Sequence, residues 1–128
     1  MSKFVEKLKE YPDYLEFGGV SIEVINKAEQ HLGLSFSEEY KEYLLRCGIA
    51  TANGHEFTGL CSSDRLNVVC VTLAEMNRNG EVIEGAYVIE QTHIDGIVIW
   101  QIKRGDIYKS QENTFIKICN SLSEYIDL

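Results

Sequence analysis

The sequence predicts a single α+β domain, and three observations carry that expectation. Residues 97 to 102 form the most apolar run of the chain, rich in β-branched and aromatic side chains; six residues suit a strand and are short for a buried helix. Two stretches, from Ser21 to Gly33 and from Ser35 to Gly48, carry apolar residues at helical spacing between capping residues. The 128 residues are one domain's worth, and 45% hydrophobic and 25% charged residues with a single proline describe a globular chain and not a disordered one.

The chain is organised around Tyr87 to Tyr108. Its β-rich runs, Tyr87 to Gln91, Ile97 to Ile102 and Ile107 to Tyr108, are separated by turns that each place a glycine beside an aspartate. In the middle strand Ile97, Ile99 and Gln101 face one way and Val98, Trp100 and Ile102 the other, so both faces are expected to be covered. Lys103 to Asp106 joins the last two runs as a hairpin, and Trp100 belongs to the core.

Upstream, Phe4, Leu8 and Tyr11 predict a first helix stopped by Pro12, followed by a loop from Asp13 to Gly19. Ser21 caps a second helix with Ile22, Ile25, Ala28 and Leu32 as its apolar stripe and Gly33 as its left-handed terminus. A third follows, capped by Ser35 with Glu38 or equally well by Ser37, with Tyr40, Tyr43, Leu44 and Cys47 on one side and Gly48 closing it. Residues 49 to 60 predict a loop with a short strand around His55 to Phe57, and residues 61 to 67 a polar turn. Val68 to Met76 fits a helix capped by Asn67, against a local strand preference in Val68 to Thr72; helix is the expectation. Asn77 to Gly80 predicts a turn, Thr114 to Cys119 a strand, and Ser121 with Glu124 the cap of a last helix carrying Leu122, Tyr125 and Ile126.

Charge narrows the function classes. The net charge is −8, and from Cys47 to Asp95 seven acids face two bases, so that section carries −5 of it. Nucleic acids demand a basic footprint, so direct binding to them is disfavoured; an acidic surface steers a basic partner. Residues 1 to 10 are charged throughout and do not form a secretory signal, and no apolar run approaches the ~20 residues that span a membrane, so a cytoplasmic protein is expected.

No chemical motif stands out. There is no phosphate-binding glycine loop and no Gly-x-Ser-x-Gly elbow. The histidines, His31, His55 and His93, form no metal-ligand spacing, and Cys47, Cys61, Cys70 and Cys119 are scattered, expected as reduced and mostly buried thiols. No metal, no cofactor and no catalytic residue is expected. A thiol enzyme built from Cys61 or Cys70 with His55 or His93 and Asp95, or a carboxylate pair of Glu90 and Asp95, can be drawn, but each requires a proximity that spacing does not supply. His93 and Asp95 belong to the turn before the central strand.

The order of segments carries a resemblance. Ile22 to Leu34, with Ala28-Glu29 and Leu32-Gly33, is followed by Phe36 to Leu45 with Glu38-Glu39-Tyr40-Lys41-Glu42-Tyr43-Leu44. Then come Gly54 and Glu56, Gly59-Leu60, Tyr87 to Glu90, Asp95-Gly96, Gly105 to Tyr108 and Ser121 to Ile126. From about Val20 onward the chain resembles the SUKH superfamily, which includes yeast cell-wall-synthesis regulators and bacterial immunity proteins. It departs at Phe36-Ser37, where the family commonly has Leu-Pro, and serine can cap the helix there. The resemblance implies helices packed on a mainly antiparallel sheet. It also implies an immunity role: binding, without chemistry, the C-terminal toxin domain of a polymorphic or contact-dependent toxin, often a basic nuclease, and occluding its active site. An interaction or scaffold domain is the alternative, and a small cysteine-dependent enzyme a remote one. Charge and loop placement, not the family, select Glu56, Asp64, Glu81, Glu84, Glu90, Asp95 and Asp106 as candidate partner contacts.

Overall fold

Three backbones meet where glycine alone can stand, and the elements are arranged around that meeting. The computed structural model describes residues 3–79, 82–112 and 114–128. The elements in chain order are α1 (Lys3–Glu10), β1 (Leu15–Glu16), α2 (Ile22–Leu32), α3 (Glu38–Cys47), β2 (Ala50–Ala52), β3 (His55–Glu56), α4 (Val68–Asn79), β4 (Tyr87–Gln91), β5 (Val98–Gln101), β6 (Ile107–Gln111), β7 (Thr114–Cys119) and α5 (Leu122–Tyr125).

A Cβ built on Gly19 would lie 1.7 Å from the Leu45 carbonyl oxygen, one on Gly48 2.2 Å from that of Gly18, and one on Gly59 1.8 Å from that of Gly48. The segment before α2, the end of α3 and the approach to α4 therefore cross at backbone contact. Hydrogen bonds pin the crossing: Val20 N–H donates to Leu44 at 3.0 Å, Leu60 N–H to Gly48 at 3.0 Å, and Val68 N–H to Gly59 at 2.7 Å.

The strands form two antiparallel sheets, of order β1-β2-β3 and β4-β5-β6-β7. The larger sheet is covered on both faces, as the alternation in 97 to 102 requires. Tyr87, Ile89, Ile99 and Ile107 join the main core with α1, α2, α3 and α5, while Val88, Val98 and Trp100 pack with Val71 of α4. Trp100 is fully buried, and its indole N–H donates to Ser110 Oγ at 2.9 Å. The outer edge of β7 is blunted by a register shift opposite Ile107 and Tyr108 and by Lys117, which reaches Asp106 at 3.6 Å.

Local chemistry explains the helices. Ser21 caps α2, accepting from Val24 N–H, and Gly33 ends it at φ 66°. Of the two serines available for α3, Ser37 is the cap: its Oγ accepts from Tyr40 N–H at 3.1 Å and donates to Gln101 Oε1 at 3.0 Å, so the helix start is tied to the sheet. Phe36 fills the place before it, edge-on to Tyr40 and Tyr87. The stripe Tyr40, Tyr43, Leu44 and Cys47 is buried. The ambiguous Val68 segment is helical, with Asn67 Oδ1 accepting from Val69 N–H at 2.9 Å; this cap and the packing on β4 outweigh the strand preference of valine.

Four expectations need correction. Residues 50 to 52, read as loop, form β2; two alanines with little intrinsic strand preference conceal it. Leu15–Glu16, read as loop, is a two-residue strand. Asn77 to Asn79 continue α4 instead of forming a turn, and Gly80 lies outside the described residues. Among the cysteines only Cys47 is buried; Cys61 and Cys119 are half-buried and Cys70 is exposed.

Gly59→Ala is expected to lower stability by more than about 3 kcal/mol, read as a loss of urea midpoint, because backbone must move to admit the methyl group. Gly54→Ala, at φ 75° with open space around it, is expected to cost only ~1–2 kcal/mol, the strain of the left-handed conformation alone.

Candidate partner-binding surface

Those of the seven acids chosen from the sequence that the structure describes do not form one surface. β4 runs from Tyr87 to Gln91, pairing Tyr87 with Gln101 and Gln91 with Val98. Glu84 and Asp106 therefore sit at one end of the large sheet and Asp95 at the other, separated by the length of the strand, roughly 15 Å. Glu81 lies outside the described residues.

Two of the acids are spent inside the protein and are withdrawn as contacts. Glu90 is buried: its Oε1 receives the Tyr125 hydroxyl at 2.5 Å and faces His55 Nδ1 at 2.9 Å, while its Oε2 accepts from Glu56 N–H at 3.1 Å. Asp106 is buried against Arg104 and Lys117, and the Arg104 hydrogen bond holds its carboxyl below the usual range. Both side chains point into the sheet's own polar contacts, which strand position alone does not reveal. Glu56 is half-buried and bidentate to Arg65 at 2.8 and 3.2 Å; that hydrogen-bonded guanidinium keeps its carboxyl low. Asp64, Glu84 and Asp95 are exposed, Asp95 in a turn where it and His93 both adopt positive φ, 51° and 60°. Asp, Asn and His tolerate that conformation better than most residues.

His55, Glu90 and Tyr125 form a cluster of titratable groups. The imidazole sits between Phe57 and Tyr125, with ring centroids 5.6 and 4.8 Å away. With a carboxylate against Nδ1 that nitrogen carries the proton, and Nε2 is buried without a partner. Burial and the adjacent Glu90 both raise the Tyr125 hydroxyl above its ordinary value. The cluster joins β3, β4 and α5 through these contacts and is structural in geometry.

The groups of the cysteine site drawn from the sequence make other contacts. Cys70 Sγ contacts Asp64 at 3.7 Å, Cys61 Sγ contacts the Ser63 carbonyl at 3.5 Å, and His55 is turned to Glu90. Desolvation and then Asp64 push the Cys70 thiol up, away from the thiolate a nucleophile needs. Among the described residues no group of three or more His, Cys, Asp or Glu is placed to hold a metal, and no helix is long and apolar enough to cross a membrane.

A concavity of about 820 Å³ lies between the starts of α1 and α2, the length of α3 and the residues around α5. Ile22 and Leu45 supply its apolar wall and Glu38, Glu39, Glu42, Lys3 and Lys41 its polar one. Glu39 is turned inward, accepting from Leu122 N–H and Gln101 Nε2, and desolvation raises its carboxyl. Sequence reasoning missed this surface. Its signal was Leu45, an apolar residue off the buried tyrosine stripe, and Ile22, assigned to the core but 46% exposed because it overhangs the first turn of α2.

A family model described as SMI1-KNR4 cell-wall (SUKH_6) matches residues 22–126. The chain belongs to the SUKH superfamily. The match begins at α2 and includes two of the three crossing glycines, Gly48 and Gly59; Gly19 precedes it. None of the curated proteins matches this SUKH chain.

Glu90→Ala is expected to destabilise the protein by about 2–4 kcal/mol, measured by denaturant titration, since it strands the Tyr125 hydroxyl and the Glu56 N–H. Acid should also unfold it in a defined sense. Asp106 and Glu56 have folded pKa values below their ordinary 3.8 and 4.5, so their contribution is present above those values and lost as pH falls through the lowered ones. Glu39, with a raised folded value, acts oppositely, its contribution being lost as pH rises through that value. Thermal melts are expected to drop below about pH 4, and Asp106→Asn to flatten that drop.

Proposed function

We propose that this SUKH protein is a bacterial immunity protein that binds the C-terminal toxin domain of a polymorphic or contact-dependent toxin and neutralises it by covering its active site. The observation that carries the reading is the family match over residues 22–126. A net charge of −8 supports a basic toxin, of which nucleases are the class that fits best, since an acidic binder competes with phosphate for the same basic site. The inhibition is by occupancy: this chain makes and breaks no bond, has no cofactor or metal, binds no nucleic acid or membrane directly, and acts in the cytoplasm. The thiols of Cys47, Cys70 and Cys119 favour that reading, since desolvation pushes each of them up, away from the thiolate.

A second reading, an interaction domain in regulation, is favoured by the cell-wall description of the matching family. The two part on one experiment. Co-expression with the toxin domain encoded beside its gene is expected to rescue growth and to yield a stoichiometric complex on pull-down. Continued toxicity with no complex would remove the immunity reading and leave the regulatory one.

A further inference from the structure

The large sheet treats its two edges differently. On the β4 side the outward backbone groups are taken. Val88 N–H donates to Thr72 Oγ1 at 3.0 Å, the Val88 carbonyl accepts from Thr58 Oγ1 at 2.8 Å, and the Ile89 carbonyl accepts from Thr58 N–H at 2.9 Å. On the other side β7 has β6 as its neighbour and, among the described residues, no strand beyond it. The small sheet offers nothing comparable, since its edge strands β1 and β3 are two residues long.

The register shows which groups of β7 are open. Ile102 N–H donates to Asp106 at 3.2 Å, so Asp106, Tyr108 and Ser110 turn their backbone groups to β5, and Ile107, Lys109 and Gln111 turn theirs to β7. Lys109 pairs with Ile116, and Gln111 with Thr114. Thr114 and Ile116 are therefore bonded to β6, while Phe115 and Lys117 direct N–H and C=O outward. The shift that blunts this edge lies past Lys117, between the pairs of Ile107 and Tyr108, and leaves Thr114 to Lys117 in unbroken register. A free lysine guards such an edge, but the Lys117 ammonium lies 3.6 Å from Asp106 of its own sheet.

This open stretch is complementary to itself. Run antiparallel to a second copy about a two-fold axis at Ile116, Phe115 stands opposite the other chain's Lys117. Each such pair exchanges two N–H···O bonds. Ile116, 52% exposed, then meets its own counterpart, and no charge lies directly opposite a like charge. Moving the axis to Lys117 would set lysine against lysine.

Charge selects the occupant. Asp106 to Asn120 contains two acids and two bases, a net of zero in a chain of −8. A second copy approaches here without opposing acid to acid, whereas a basic toxin domain finds no excess of acid to attract it.

We infer that β7 is a self-association edge, through which two copies of this chain join their four-stranded sheets into one continuous antiparallel sheet. The inference goes beyond the immunity reading and does not depend on it. Pairing over about four residues a side is a small interface, under ~1,200 Å², so the dimer belongs to the weak, transient class. Sedimentation of wild type is expected to pass from monomer to dimer between about 10 μM and 1 mM. Over the same range amide exchange at Phe115 and Lys117 is expected to slow severalfold, while Thr114 and Ile116 stay protected throughout. Ile116→Glu has Lys109 beside it in its own chain and a like charge across the axis. It is expected to melt as wild type does and to dimerise at least about tenfold more weakly, with Ile116→Val unchanged. A wild type that stays monomeric at about 1 mM overturns the proposal. So does a dimer whose Phe115 and Lys117 amides exchange as they do in the monomer. Protection of these two amides only on addition of the toxin domain would assign the edge to the toxin and overturn it equally, leaving the immunity reading in place.

Discussion

Everything in this fold depends on the crossing of Gly19, Gly48 and Gly59, where three backbones occupy space that side chains would otherwise fill. The constraint is steric before it is energetic: at separations near 2 Å no Cβ can be accommodated, so the three segments approach only if all three positions lack one. Once they approach, their N–H and carbonyl groups find each other, which removes the cost of burying unpaired backbone. The crossing also sets direction. It turns the chain out of α3 into β2, delivers it to the start of α4, and lays residues 17 to 20 along the last turn of α3.

Around that crossing the core is aromatic and polar at once. Tyr40, Tyr43 and Tyr87 are fully buried and stack at 5.1 to 5.4 Å, yet each hydroxyl is used. Tyr40 meets Thr58 Oγ1 at 2.9 Å; Tyr43 donates to the Thr58 carbonyl and accepts from Ala50 N–H, both at 2.9 Å; Tyr87 bridges Ser37 N–H and Gln101. Rings supply buried area and hydroxyls supply register, so α3 has one seating on the sheet. Ser37 completes that seating by capping the helix and bonding Gln101 together.

The acidity of the chain does not by itself mark a surface. Counting charges along residues 47 to 95 treats every acid as a surface acid. Glu90 and Glu75 are instead nearly inaccessible, and Glu56 is matched by Arg65. The segment from Asp13 to Val24 looks like an ordinary loop and helix start in the same accounting. Its distinction, exposed apolar side chains among acids, exists only once the crossing has fixed which way they face.

The sequence by itself determined the local elements and the family. Serine and glycine caps, 3.6-residue stripes and the alternation of 97 to 102 are set by neighbours in the chain, so α1, α2, α3, α5, β4 and β5 were legible, and the order of motifs was enough to name the superfamily. Tertiary structure decided what depends on residues far apart. It made a strand of Ala50 to Ala52 by pairing it on both sides, chose Ser37 over Ser35 by offering Gln101 as a second partner, and drew Glu90 inward to Tyr125 and His55. It also left Leu15, Phe17 and Leu45 outside. The physical reason is that a contact between positions far apart in the chain has no local periodicity to announce it, and burial is a property of the packed molecule.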